Sequence, residues 1–213
     1  MTNRARRRAP PVRGRRRTRR STDPAAAPPT TASRILAAAD RLFYGQGIRA
    51  VGVDAVAEAA GVTKRTLYHH FASKDALVAA YLTHRASPPV VDPTIPPVAQ
   101  ILRLFRGLER ALASETYRGC AFINAAAELA DRSHPAVGIA AAAKAQREAW
   151  FCSLAEGAGA RDPALLAKQL MILLDGAIAN WLVRRDASVA AVAGRSDAAL
   201  LQAAGAAALP SDG

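Results

Sequence analysis

The sequence predicts an all-α protein in which a small N-terminal domain of three helices precedes a larger helical domain. Alanine, the residue with the highest intrinsic helix propensity, makes up roughly a quarter of the 213 residues. From residue 33 onward apolar residues recur at helical spacing, and runs of alternating β-branched or aromatic residues are rare. The length allows one sizeable domain, or a small domain joined to a medium one.

Residues 1–31 are predicted to be a disordered, Arg-rich arm. Ten arginines and no acidic residue lie in 1–20, and they supply +10 of the formal net charge of +12. The segment lacks a periodic apolar pattern, so it cannot bury enough surface to offset the entropy lost on ordering. The charge therefore indicates a basic arm on a nearly neutral body, and a polyanion as partner.

Composition argues against several other classes of protein. Cys120 and Cys152 lack the CxxC pairs and further ligands of a zinc site, and two cysteines do not make a disulfide scaffold. The most apolar stretch, 165–183, is interrupted by Lys168 and Asp175, so we expect a buried helix and not a membrane span. No apolar signal segment follows the arginines, which favours a cytoplasmic protein. We expect no metal and no cofactor.

The first and fourth helices are predicted by apolar spacing and by their end signals. The first spans 33–44, and Gly45 and Gly47 are expected to end it. The fourth starts after Ser73, a good N-cap residue, and ends before Pro88 because a proline disfavours the helical conformation in the residue before it. The apolar face of the first helix is made by Ile35, Leu36, Ala39, Leu42 and Phe43.

The second and third helices, 53–60 and 63–70, have the spacing of a helix-turn-helix. Gly61 allows the positive φ of the tight turn, and Ala57 is small enough for the helices to cross closely. A second interpretation is an ordinary helical hairpin whose cations are merely solvated. The start of the third helix exposes side chains suited to base edges and phosphates, namely Thr63, Lys64, Arg65 and Thr66.

A longer pattern surrounds this motif. It reads Ile35-Leu-x-Ala-Ala-x-x-Leu-Phe43, then Gly47, then Val56-Ala57-x-x-Ala60-Gly61-Val62-Thr63-Lys64-x-Thr66-Leu67-Tyr68-x-His70-Phe71-x-Ser73-Lys74-x-x-Leu77. Over residues 33 to about 80 the chain strongly resembles the tetracycline-repressor (TetR) family of bacterial transcriptional regulators. The segment 119–128 is similar to one in a subset of these regulators, and the rest matches in architecture.

The resemblance implies a homodimer whose third helix binds a palindromic DNA operator and whose larger domain binds a small-molecule effector. It implies that Thr63 caps the recognition helix and contacts phosphate, while Lys64, Arg65 and Thr66 face the groove. Tyr68 and Lys74 would contact the DNA backbone, with His69 as a further contact, and His70 and Phe71 would pack the small domain. Many members have Ser or Thr at the start of helix two, where this chain has Gly52 and Val53, so phosphate would be bound there by backbone N–H groups.

These observations divide the chain into five predicted segments. The arm, 1–31, precedes a helix-turn-helix domain at 32–78. A connecting helix and a linker with five prolines in 87–97 follow, so that the connection spans 79–97. The effector-binding and dimerisation domain spans 98–207, with helices at about 101–112, 120–131, 135–157, 163–185 and 188–204, and 208–213 form a tail.

Within the larger domain, two sets of residues are candidates for binding. The helix 163–185 carries two apolar stripes, which suggests a helix between the cavity and a second subunit. The predicted dimer contacts are Leu166, Leu170, Leu173, Ala177, Trp181, Val192 and Leu200. The predicted effector contacts are Phe105, Phe122, Asn124, Glu128, Trp150, Phe151, Met171 and Asp175, with Trp181 as a further candidate.

Each set has a plainer alternative. Any of the effector candidates could be an ordinary core residue, and Glu128 and Asp175 could instead pair with Arg118 or Arg147. A monomeric helical bundle with a large core is the alternative to the dimer.

The sequence thus predicts a ligand-responsive, sequence-specific DNA-binding regulator, a repressor that a small molecule releases from its operator. One alternative is a nonspecific DNA-binding protein that uses the arm. The arm itself is best interpreted as an accessory tether to DNA, with an inert tail or the product of a misplaced start codon as open alternatives and an organelle-targeting segment as a minor one. An enzyme is the other alternative, but no GxGxxG, P-loop, HExxH or GxSxG motif is present.

Overall fold

The computed structural model describes residues 29–206, and this part of the chain is all-α, as predicted. The predictions for the arm before residue 29 and for the tail after residue 206 concern residues outside this range. Within the described range the helices are α1 Thr31–Gln46, α2 Val53–Ala60, α3 Lys64–His70, α4 Lys74–Arg85, α5 Pro97–Leu112, α6 Ala121–Glu128, α7 Pro135–Gly157, α8 Pro163–Arg184 and α9 Ser188–Ala203.

Helix α1 is longer at both ends than the sequence predicts. Thr30 is its N-cap, because the Thr30 hydroxyl oxygen accepts a hydrogen bond from the Ser33 N–H at 3.1 Å. The helix continues through Gly45 and ends at Gly47. The φ of Gly47 is +96°, a value that glycine adopts readily and other residues rarely adopt. The prediction that Gly45 ends the helix is therefore wrong, and Gly47 alone is the terminator.

Helices α1 to α4 enclose a first apolar core. Helix α4 begins at the Ser73 cap, whose side chain accepts from the Ala76 N–H at 3.0 Å. Its inner face packs against α1, with the Tyr81 ring in edge contact with Phe43 at 5.6 Å between centroids. The fully buried side chains of this core include Ile35, Val56, Leu67, Leu77 and Leu82.

The second core lies among α5, α7, α8 and α9. Helix α8 is long and apolar enough to cross a membrane by length and composition, but it packs against α7 and α9 and buries one face in this core. It is therefore a core helix, as predicted. Phe105, Phe151, Leu154, Leu166 and Leu170 are fully buried between these helices.

The two cores do not divide at one point of the chain. Helix α6 and the first turns of α7 follow the proline-rich linker, yet their alanines pack into the first core. Ala121, Ala125 and Ala136 are the buried contacts, and α7 packs against α4 as well as against α8. Helix α7 thus joins the N-terminal helices to the larger domain, although the sequence predicts a boundary before residue 98.

Candidate nucleic-acid interface and ligand cavity

The turn between α2 and α3 is built around Gly61. Its φ of +64° and ψ of +41° are left-handed, a conformation that side chains other than glycine rarely adopt. The Gly61 N–H donates to the Glu58 carbonyl at 2.9 Å, and the Val62 N–H donates to the Ala57 carbonyl at 3.0 Å. Arg34 of α1 also holds this turn, since its Nη2 donates to the Ala60 carbonyl at 2.6 Å. The turn is therefore fixed from both its own helices and α1.

Helix α3 is fixed by one buried face and one cap. Leu67 is 0% exposed, and the Thr63 hydroxyl accepts from the Thr66 N–H at 3.1 Å. Its opposite face is open to solvent, with Arg65 and His69 exposed and the Tyr68 side chain 40% exposed. The arrangement presents a row of donors and cations on a helix that can enter a major groove.

Some predicted contacts already have partners within the chain. The Thr66 hydroxyl lies 2.8 Å from that of Thr63, so this partly buried residue supports the cap. The exposed Lys64 Nζ pairs with Asp54 of α2 at 3.1 Å. Phe71 packs against the first core as expected, whereas His70 is exposed, so the prediction that His70 packs the small domain is wrong.

Two further helix N-termini lie at the ends of this motif. Gly52 is the exposed N-cap of α2 and provides no side-chain cap, so backbone N–H groups remain there, and Val53 is the first helical residue. Lys74 is the first residue of α4. The positive ends of both helix dipoles favour an anion such as phosphate.

A cavity of about 290 Å³ lies in the larger domain. It is lined by the end of α4, the start of the linker, and side chains of α5, α6, α7 and α8. Of the predicted effector contacts, Phe122 and Asp175 line this cavity.

The other predicted effector contacts do not line this cavity, and as effector contacts they stay predictions. Phe105, Trp150, Phe151 and Met171 are buried in the second core, as is Trp181, because they point to the helix-packing side of their helices.

The two polar candidates of α6 are also bound outside the cavity. Asn124 Nδ2 donates to the Arg118 carbonyl at 2.8 Å. Glu128 Oε2 accepts from the Arg49 N–H at 3.0 Å, so this side chain joins α6 to the loop after α1. The alternative interpretation was an ion pair of Glu128 or Asp175 with Arg118 or Arg147. Neither arginine forms such a pair among the described residues.

The cavity lining includes two cations that were not predicted to lie there from the sequence. Lys144 and Arg147, both on α7, line the cavity, and Lys144 Nζ lies 2.5 Å from Asp175 Oδ1 of α8. The aromatic ring of Tyr117 is a further lining group, and burial raises the pKa of its hydroxyl. The signal in the sequence is weak, because two cations three residues apart on an alanine-rich helix also fit a solvated face.

Arg85, the last residue of α4, joins the cavity to the first core. It lines the cavity, and its Nε and Nη2 donate to the Asp40 carboxylate of α1 at 2.5 and 3.0 Å. Its guanidinium lies over the Tyr44 ring, 3.9 Å from the centroid. The Tyr44 hydroxyl in turn donates to the Gly119 carbonyl at 3.0 Å and accepts from the Arg118 N–H at 3.0 Å. Arg85 therefore connects the cavity wall directly to α1.

The predicted dimer contacts are mostly interior residues. Leu166, Leu170, Ala177 and Trp181 are buried within one chain, so their side chains cannot reach a partner, and the prediction for these four is wrong. Leu173 and Leu200 are partly buried against the same core, whereas Val192 is exposed. The apolar stripe that sequence periodicity assigned to a partner is the one that packs against α7 and α9.

Together these features define a class of protein, a helical regulator with an exposed helix-turn-helix and a separate cavity. A model of the family described as bacterial regulatory proteins, tetR family, matches residues 35–81. A crystal structure of a TetR-type transcriptional regulator from Streptomyces avermitilis is 36% identical, with a TM-score of 0.76, and the match covers 84% of this chain and 100% of that one. The chain belongs to the TetR family of transcriptional regulators, which is not a family of enzymes.

Among curated proteins the similarity is concentrated in the helix-turn-helix. An uncharacterized HTH-type transcriptional regulator of Mycobacterium tuberculosis is 46% identical over 54 residues, which are 25% of this chain and 26% of the relative. The HTH-type transcriptional activator FasR of Mycolicibacterium smegmatis is 40% identical over 70 residues, 33% of this chain and 30% of FasR. The matched part thus spans under a third of the length of these relatives.

Proposed function

We propose that the protein is a ligand-responsive repressor that binds a palindromic DNA operator as a homodimer and is released by a small molecule. The observation that supports this most is the exposed face of α3, which the left-handed Gly61 and the buried Leu67 fix in one orientation. It acts in the cytoplasm on double-stranded DNA, and it needs neither a metal nor a cofactor to do so.

In the proposed complex the start of α3 lies in the major groove. Arg65 reaches base edges or phosphates with a guanidinium that has no ion pair in the described structure, and Thr63 contacts phosphate beside its cap. Lys64 faces the groove while it stays paired with Asp54. Tyr68 and His69 contact the backbone from the exposed side of the helix, and Lys74 and the N–H groups at Gly52 and Val53 add contacts at the two helix N-termini.

The proposed dimer surface is the outer face of α8 and α9. Leu165, Ile172 (73% exposed), Ala179 and Val183 (85% exposed) recur at intervals of seven, seven and four residues, which places them on one side of α8. Val192 of α9 is exposed as well. Apolar side chains at this spacing suit a helical interface between two copies, because they leave water only when a partner covers them.

The proposed response to the effector passes through α4. One end of this helix carries Lys74 next to the DNA-binding motif, and the other end carries Arg85 in the cavity wall. A ligand that moves Arg85 also moves Asp40 and therefore α1. In a dimer, such a shift changes the separation of the two α3 helices, which must match major grooves about 34 Å apart.

The test is selection of bound sequences from a random DNA pool by the purified protein, repeated with a form that lacks residues 1–31. We expect both proteins to enrich one short palindrome. A protein that shows no preference over bulk competitor DNA at physiological salt would contradict the proposal. If truncation abolished all DNA binding, the arm-driven, nonspecific alternative would be favoured.

An activator is a second candidate function. The support is FasR, an activator by name, whose similarity to this chain covers 70 residues. Transcription from a promoter carrying the selected palindrome separates the two, since a repressor lowers the transcript in the absence of effector and an activator raises it.

A further inference from the structure

The cavity contains one positive charge more than its surroundings neutralise. Its charged lining residues are Arg85, Lys144, Arg147 and Asp175. Arg85 is paired with Asp40 behind the cavity wall, and Lys144 is paired with Asp175 across it. Each of these two cations therefore has its own carboxylate, and Arg147 is left.

Arg147 is partly buried and has no carboxylate beside it among the described residues. In residues 29–206 no acidic side chain lies within the 4.0 Å of an ion pair with it, and no side-chain hydrogen bond to another residue satisfies its guanidinium. The Trp150 ring is beside it, 5.7 Å from ring centroid to guanidinium carbon. Burial lowers the pKa of Arg147, yet a guanidinium remains protonated in proteins, so a fixed charge with five donors is retained there.

The remaining wall of the cavity is mainly apolar. Leu104 and Leu108 of α5, Phe122 of α6, and Leu174 and Ile178 of α8 all line it. The volume of about 290 Å³ lies just below the range for small-molecule sites, about 300 to 1,000 Å³, and so limits the ligand to a small one. The chemistry of the wall suits a compact apolar body with one acidic group.

We propose that the effector is a small monoanionic organic acid, whose carboxylate is bound by Arg147 and whose apolar body fills the rest of the cavity. A planar guanidinium binds a carboxylate through two parallel hydrogen bonds, which fixes the orientation of the ligand as well as its charge. This inference rests on the proposed function, because it names the class of effector for the same cavity.

The test compares acids with their uncharged amides. The probes are benzoate, phenylacetate and naphthylacetate, each paired with the corresponding primary amide, and binding to the full-length protein is measured by isothermal titration calorimetry. We expect at least one acid to bind about tenfold or more tightly than its amide. We expect Arg147→Met to remove that preference and Arg147→Lys to retain part of it.

Two further variants make the charge argument specific. Arg103→Met removes an exposed arginine of α5 that does not line the cavity, and it should leave acid binding unchanged. Asp175→Asn should release Lys144 as a second cation and tighten acid binding several-fold. Because Arg147 has no carboxylate partner among the described residues, Arg147→Met should also keep the ligand-free melting temperature at or above that of the unaltered protein.

The outcomes separate this inference from the proposed function. If each amide bound as well as its acid, or if Arg147→Met kept the preference for acids, the anionic effector would be excluded while a ligand-responsive repressor would stand. If none of the six compounds bound, the organic-acid class would be contradicted. Loss of the palindrome preference in the DNA selection would contradict the repressor itself, whatever the cavity binds.

Discussion

The helix-turn-helix and the cavity both present arginine side chains, but they hold them in opposite environments. Arg65 projects into water from the open face of α3, whereas Arg147 lies partly buried beside Trp150 and apolar side chains. Charges in water are screened, so an exposed cation can bind any polyanion and release it again. A charge in a poorly hydrated site interacts more strongly and requires a partner of matching shape and sign. This difference supports the proposed roles of the two regions, DNA binding by the first and binding of one small anion by the second.

The two regions also differ in what holds their side chains in place. The turn at Gly61 and the caps at Thr63 and Ser73 are mainly local features, whose backbone and cap hydrogen bonds join residues three to five positions apart, although Arg34 of α1 also holds the turn. The cavity brings together Arg85, Lys144 and Asp175 from three helices far apart in the chain. Substitutions should therefore disturb one region through packing and the other through charge.

The largest effect is expected for Leu67→Ala in the helix-turn-helix. Leu67 is fully buried, and removing its side chain leaves a cavity under α3, so the free energy of unfolding should fall by about 2 to 5 kcal/mol. Chemical denaturation, monitored by circular dichroism, measures this change. Val90→Ala removes a side chain that is exposed in the linker and should stay within about 0.5 kcal/mol of the unaltered protein. Equal losses for both variants would contradict the packing argument.

In the larger domain, Asp197→Asn is expected to change the free energy of unfolding by a comparable amount but in the opposite direction, as a gain in stability. Asp197 of α9 is 0% exposed, and both of its carboxylate oxygens lack a hydrogen-bond partner among the described residues. Burial raises the pKa of this carboxyl to about 6 from its ordinary value of 3.8. The protonated form is therefore favoured in the folded state, and the folded state loses stability as the pH rises through about 6.

The expected result for Asp197→Asn follows from the direction of that pKa shift. At pH 8 the variant should be more stable than the unaltered protein by about 2 to 3 kcal/mol, and the gain should vanish near pH 4. Urea denaturation at a series of pH values measures it. A gain that did not depend on pH would show that ionisation of Asp197 is not its cause.

Most of the helix-turn-helix could be predicted from the sequence because its signals are local. The glycine at the turn, the Ser73 cap and the burial of Leu67 all follow from residues within one or two helical turns. The family resemblance and the all-α fold are confirmed, while the contacts of Thr63, Arg65 and Tyr68 with DNA stay predictions. The end of α1 does not follow from the sequence, because a glycine such as Gly45 can continue a helix and a glycine such as Gly47 can end one.

The lining of the cavity could not be predicted, because it depends on which helix faces pack together and the spacing of apolar residues does not show this. Helix α8 is apolar on more than one side, so spacing did not show that Leu166 and Leu170 pack inward while Ile172 and Val183 face out. The Lys144–Asp175 pair joins residues 31 positions apart, which become neighbours only when α7 and α8 pack together.

A smaller effect, on binding rather than folding, is expected for Arg65→Ala. The Arg65 side chain is exposed and forms no ion pair with another described residue, so the free energy of unfolding should not change. Binding to the selected palindrome should weaken by about 1 to 3 kcal/mol. Fluorescence anisotropy at fixed salt measures the loss. Arg103→Ala, an exposed arginine of α5, is the matched control and should bind as before. Undiminished binding by Arg65→Ala would remove α3 from the proposed interface.

A small loss of stability is expected for Asp54→Ala. Asp54 pairs with Lys64 at 3.1 Å, but both side chains are mostly exposed, and pairs of this kind contribute about 0.2 to 1 kcal/mol. The effect on DNA binding should have the opposite sign, because the substitution removes an acid from the surface that approaches phosphate and releases Lys64. Affinity for the palindrome should therefore rise several-fold.

Salt dependence separates the two contributions of Asp54. A lysine released to bind one more phosphate increases the slope of log affinity against log salt concentration by about one, whereas an unrelated change in stability leaves that slope alone. The double variant Asp54→Ala, Lys64→Ala should lose both the gain in affinity and the steeper slope. A slope that stayed steep without Lys64 would show that Asp54 acts on the DNA directly and not through the lysine it holds.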